Sequence, residues 1–164
     1  MSRRKRGAAV GWGRKGKGST AYVLTDGAGV PLAILVTGAQ VHEQRVALQV
    51  VDSVRVPRRR GRPKQRPETL AADKWYDSRG FRRDLRKCGI RPSIPQREWP
   101  GRGRKPGRPP KVHPASAARW IVERTHAWMD NWRRLVVRWE RRVHTYLAFV
   151  VIACLMTCLR AISG

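Results

Sequence analysis

The chain has 164 residues, 41% of them apolar and seven of them Trp, enough for one domain with a modest core. Its 36 Lys and Arg against 11 Asp and Glu leave a formal charge of +25. Self-repulsion on that scale opposes compaction unless a polyanion neutralises it, so double-stranded DNA, with one phosphate charge per ~1.7 Å, is the expected partner. Cys88, Cys154 and Cys158 form no CxxC pair, which argues against a disulfide framework or a zinc knuckle and fits a reducing cytoplasm, here with nucleoid association.

Met1-Ser2-Arg3-Arg4-Lys5-Arg6 is charged like the start of a signal peptide, but Gly, Lys and Arg follow it instead of an apolar run, and no export signal is expected. Residues 1–18 read as a basic, disordered arm and residues 19–164 as a single domain. From Thr20 to Thr37, two apolar runs flank Asp26-Gly27-Ala28-Gly29, the pattern of a β-hairpin. Val41 to Val54 suits a short helix. Residues 57–67, rich in Pro and Arg, form a basic loop.

Thr69 to Asp73 is a short apolar run ending in an acid. Asp77-Ser78 starts a helix that Gly89 stops, and Ile90 to Ile94 is again extended, although Pro92 breaks it. Strand, helix and strand at this spacing make a βαβ unit with parallel strands, and hence an α/β fold. Residues 99–114 are a second basic loop. From Ser116 the chain turns helical, with Trp120, Ile121, Ala127, Trp128, Leu135, Val136 and Trp139 on a core face and arginines opposite. Tyr146 to Ile162 is apolar apart from Thr157 and Arg160. At about 17 residues it is at the lower limit for a spanning helix, so a buried terminal helix and no membrane are expected. Cys154 and Cys158, four apart, would share one buried face of it.

Acids are so scarce that each asks for a reason. Asp73 stands where a strand leaves the sheet, which suits a metal ligand and equally a turn cap. Glu123 lies between Arg119 and Arg124, where an ordinary i,i+4 ion pair explains most acids. Together they suggest phosphodiester chemistry, which uses two divalent metals, Mg2+ or Mn2+, held about 3.5–4 Å apart by carboxylates from different elements. The four histidines are scattered without metal-ligand spacing.

Several stretches, in order, resemble the DDE transposases of the insertion sequence five group, which carry an IS4-like transposase domain. They are Gly-Arg-Lys-Gly-Lys-Gly-Ser, Leu24-Thr-Asp-Gly-Ala-Gly-Val-Pro-Leu-Ala, Thr37-Gly-Ala-Gln-Val-His42-Glu43, Ala72-Asp73-Lys-Trp-Tyr76-Asp77-Ser78-Arg79, Gly89-Ile-Arg-Pro92 with Ile94-Pro95, Trp120-Ile-Val-Glu123-Arg-Thr-His-Ala-Trp128, and Arg133-Arg-Leu with Arg138-Trp-Glu-Arg-Arg142. The resemblance runs from about Gly13 to Arg160. It implies an RNase H-like catalytic core, with Asp73 and Glu123 as catalytic, metal-holding second and third members of the acidic triad.

The family's first Asp lies on a strand upstream of the Gly-Arg-Lys-Gly stretch, so this chain is expected to be a C-terminal part lacking that first strand: a second reading frame or a remnant, weak or inactive alone. Asp26 and Asp52 do not match the missing position. Arg119 matches the family's Arg four residues before the Glu, whereas Asp130 stands where a basic residue is expected seven after it. An upstream-frame polypeptide and a homo-oligomer are the implied protein partners.

DNA contacts are expected from the hook-like Arg60-Gly61-Arg62-Pro63-Lys64, which suits a narrow minor groove, and from Arg119, Arg124, Arg133, Arg134 and Arg138 along the phosphate backbone. The rival reading is a catalytically inactive DNA-binding protein that tolerates any sequence. RNA binding ranks last, because the Trp residues fall on the long helix and not on a sheet face.

Overall fold

A computed structural model of the chain describes residues 9–13, 16–97, 107 and 119–163. The elements are β1 (Gly11–Gly13), β2 (Gly16–Thr25), β3 (Pro31–Gly38), α1 (Glu43–Asp52), β4 (Thr69–Ala71), α2 (Arg79–Lys87), β5 (Arg91–Ser93), α3 (Trp120–Asp130), α4 (Arg133–Val136) and α5 (Val143–Ser163). The fold is mixed α/β. β1, β2 and β3 form an antiparallel sheet, while β4 and β5 form a separate parallel pair.

The β2–β3 turn is written into four residues. The Asp26 carboxylate accepts hydrogen bonds from the Ala28 and Val30 amides, both at 2.9 Å, and Gly29 takes φ +92°, a value that disfavours a side chain. In the βαβ unit the Ser78 hydroxyl caps α2 by accepting from the Phe81 amide at 3.2 Å, and Gly89 ends it at φ +76°. Pro92 does not break β5. It sits opposite Leu70 in a strand that, among the described residues, has a neighbour on one side only, where a missing N–H is tolerated.

One core cluster joins Val51, Leu70, Phe81, Leu85, Ile90 and Ile94, gluing α1 and α2 to the parallel pair. A second joins Met129, Tyr146, Val150 and Ala153 to Val23, Ile34 and Val36, laying α3 and α5 on the antiparallel sheet.

The structure departs from the sequence reading elsewhere too. Within the arm expected at residues 1–18, Gly11–Gly13 pairs antiparallel with Gly16–Gly18. The basic loop after α1 is pinned by a two-hydrogen-bond bridge between Val56 and Lys64, at 2.9 and 2.8 Å.

The long helix begins at Trp120 among the described residues and stops at Asp130. Trp132 is extended, the Tyr146 hydroxyl donates to the Leu135 carbonyl at 3.1 Å, and the Arg138 guanidinium donates to the Glu140 carbonyl at 2.9 Å, so tertiary contacts hold a bend that periodicity could not register. Trp139 is consequently exposed and Leu135 alone of the later apolar positions packs on the second cluster. The terminal helix buries only the face of Tyr146, Val150, Ala153 and Thr157, with Cys154 and Cys158 partly covered. The second basic loop, 99–114, lies outside the described residues except for Gly107.

Candidate active site

Asp73 follows β4 after Ala72 and heads the 3-10 turn Lys74–Tyr76, its Oδ1 accepting from the Lys74 amide at 2.5 Å. It is therefore a turn cap, and the capping bond also fixes the carboxylate of this candidate site residue. Glu123 stands in the first turn of α3. Arg119, at the head of that helix, donates from Nη1 to Asp73 Oδ1 at 3.2 Å and lies with Nε 3.4 Å from Glu123 Oε1. One guanidinium thus spans two acids far apart in the sequence.

Two contacts seat α3 so that this happens. The Thr125 hydroxyl, fully buried, donates to the Gly29 carbonyl at 2.9 Å, and Arg124 Nη2 donates to the Ala28 carbonyl at 2.8 Å. A Cβ on Gly29 would stand 3.1 Å from the Thr125 hydroxyl and 3.2 Å from Ile121, so the turn and helix meet at a position that only glycine fits without displacement.

Beside the acids lies a cavity of about 980 Å³. Thr20 to Thr25 of β2 with Asp26 of the following turn form one wall and Glu68 to Asp73 around β4 the other, with Val50 and Val54 from α1 and its end and Ile121, Val122 and His126 from α3. Among the described residues, the backbone of β2 beyond Gly18 is paired as a strand only with β3, and that of β4 only with β5. Two open strand edges therefore border the same space.

Four further residues line it that the sequence did not single out: Tyr22, Glu43, Tyr76 and His126. Burial, then the Glu43 charge, then Tyr22 and Asp73, push the Tyr76 phenol far above its usual range. Tyr22 is raised likewise by burial and Glu43, partly offset by its hydrogen bond with Thr37. Both stay protonated donors. Burial lowers the His126 pKa, with Asp130 acting against it, which favours neutral imidazole. Alternation along β2 places Tyr22 on one face with Thr20 and Leu24, and Glu43 closes the Thr37 to Glu43 motif. These were the available signals.

Two other acids hold the fold together. Asp77 accepts from Arg82 Nε and from the Arg97 amide, both at 2.7 Å, tying α2 to the exit of β5, while Asp26 is spent on its turn. Asp52 is exposed at the end of α1 and does not line the cavity.

Of the expected DNA contacts, Arg119 comes to the site, whereas Arg124 reaches the β2–β3 turn and is held between Trp120 and Trp128, 4.7 and 4.9 Å from their ring centres. Arg138 bonds the Ala9 carbonyl at 3.2 Å and the Ser19 hydroxyl, and Arg134 pairs with Glu140 at 3.0 Å. Arg133 is exposed on α4. Arg60, Arg62, Pro63 and Lys64 are exposed in the bridged loop, but Gly61 turns there at φ +85° where an extended hook would need an open backbone.

Residues 2–158 match the family model for the transposase DDE domain. Over 143 residues, 86% of this chain, the sequence is 40% identical to a protein of Burkholderia cepacia described as a transposase for insertion sequence element IS402. The chain spans 63% of the length of that relative. No solved structure matches it.

Proposed function

The chain belongs to the transposase DDE domain family, and from that membership we propose that it is the C-terminal part of an RNase H-like DDE transposase that cleaves and joins DNA at transposon ends. The observation that carries the reading is the meeting of Asp73 and Glu123, from β4 and α3, around one cation, Arg119.

Two exposed carboxylates are hard oxygen donors of the kind that hold Mg2+ or Mn2+, and a site already attractive to a guanidinium fits a divalent ion. When bound there, such ions would activate the attacking hydroxyl and stabilise the leaving oxygen. Asp73 is oriented by the Lys74 amide, Glu123 by the seating of α3 on the β2–β3 turn, and Arg119, once off the acids, is a cation beside them to meet a DNA phosphate.

The third carboxylate, on this reading, arrives on a strand from an upstream-frame polypeptide that seats between β2 and β4. A strand takes up about 4.8 Å between neighbours, about 10 Å between layers and about 3.3 Å of length per residue, or about 160 Å³ per residue. The cavity of about 980 Å³ therefore suits a strand of about six residues, an ordinary length. Pairing on both edges would turn two small sheets into one and bring its side chains beside Asp73.

A second reading has one observation in its favour: Arg119 already occupies the place between the acids, as in a protein that binds DNA and does no chemistry. Metal-dependent nicking and strand joining on transposon-end DNA separates the two. We expect activity from the chain plus the upstream polypeptide, lost in Asp73→Ala and in Glu123→Ala. Inactivity of every mixture, with salt-sensitive DNA binding retained, would establish the second reading instead.

A further inference from the structure

The outer face of α5 carries a pattern that neither the site nor the core uses. The helix packs inward through Tyr146, Val150, Ala153 and Thr157. On the opposite side Ala148, Ile152, Leu155, Leu159 and Ile162 recur at intervals of four, three, four and three, flanked by Val151 and Met156. The six larger side chains of this outer strip are between 39% and 83% exposed.

That 3.5-residue period, without a charge along it, is the repeat of a helix that packs against another helix. A solvent-facing helix surface would carry polar residues there. The one charge on the helix, Arg160, instead continues the line of Tyr146, Val150, Ala153 and Thr157, off the outer strip.

We propose that this strip is an interface between two copies of the chain, paired α5 against α5. Half-exposed aliphatic side chains offer on the order of 100 Å² each, so the six offer about 600 Å² per copy and about 1,200 Å² across a pair, the size at which specific interfaces begin. The strip is complementary to itself, as a two-fold contact requires.

A lipid bilayer fits less well, although α5 is long and apolar enough to cross one. Its inner face is laid on Ile34 and Val36 of β3, an edge strand among the described residues, and lipid-exposed sheet edges do not occur in hydrocarbon. The pair also has a distinctive response to ions. Two bodies each bearing +25 repel, so salt strengthens the association by screening, whereas salt weakens contacts to DNA phosphates.

Sedimentation equilibrium of the full chain without detergent, at low and at high salt, tests this. Expected is a monomer–dimer equilibrium that tightens at least tenfold at high salt, and that is lost in Leu155→Glu and in the double variant Ile152→Asn, Leu159→Asn. These positions are exposed, so the variants should keep the parental circular dichroism. A monomer at every concentration and salt overturns the proposal, as does a dimer that both folded variants retain. Partition of the chain into lipid vesicles with no dimer in water also overturns it and assigns the strip to a membrane.

Discussion

Removing the guanidinium between the acids should tighten divalent metal binding. Arg119 stands 3.2 Å from Asp73 and 3.4 Å from Glu123, with side chains 44%, 39% and 64% exposed. Ion pairs so open to water contribute roughly 0.2–1 kcal/mol each. An entering metal that must break both therefore forfeits about 0.5–2 kcal/mol, which corresponds to about 2- to 30-fold in affinity. In Arg119→Gln that competition is gone, and Mn2+ titration followed by electron paramagnetic resonance should show a gain of that size at low salt. At 0.5 M salt the pairs are largely screened and the gain should shrink. Asp73→Asn and Glu123→Gln serve as the low-affinity baseline. Equal or weaker Mn2+ binding by Arg119→Gln would refute the argument, and so would a gain that high salt leaves untouched.

Other expectations concern what holds the site in place. Leu85, with 0% exposure at the centre of the first cluster, should cost about 2–5 kcal/mol when changed to Ala, read from urea denaturation. Thr125→Val removes the buried donor to the Gly29 carbonyl and should cost about 1–3 kcal/mol, with reduced nicking if the seat of α3 positions Glu123. The lowered His126 pKa has a pH signature. Between its folded value and about 6.5 the unfolded chain binds the extra proton, so the contribution is complete above 6.5 and lost as pH falls. Urea midpoints measured from pH 7.5 to 5 should decline in the parent and decline less in His126→Gln.

Where local chemistry decided the structure, the sequence was readable. Asp26-Gly27-Ala28-Gly29 specifies its own turn, and Ser78 and Gly89 bracket a helix by capping, so the hairpin and the βαβ unit fall where expected. Asp73 was visible because a strand end exposes whatever stands there. Glu123 was harder: its i,i+4 partner Arg119 is the bland explanation, and the structure keeps that pair while adding Asp73 to it. Contacts between distant residues could not be read. The bend after Asp130 depends on Tyr146 reaching back to Leu135, and Arg124 looked like a phosphate contact until Trp120 and Trp128 closed on it from both sides. Glu43 escaped notice because a single acid in a first helical turn is ordinarily a favourable end charge, and only the tertiary fold turns it toward Tyr22 and Tyr76.

On the proposed function, the charge of the chain would tie metal and DNA together more closely than the site geometry does. A body at +25 sets up a positive potential that repels the divalent ion Asp73 and Glu123 would hold. Bound DNA cancels that potential and offers Arg119 a phosphate in place of the two carboxylates. Both effects favour the metal only when DNA is present. By linkage the metal must then strengthen DNA binding by the same factor that DNA strengthens metal binding. In Arg119→Gln one of the two routes is already removed, so the coupling factor should be smaller than in the parent although its metal affinity without DNA is greater. A parent whose Mn2+ affinity is indifferent to DNA would mean that the acids do not sense the field, and that the scarcity of carboxylates in this chain has no bearing on when its site fills.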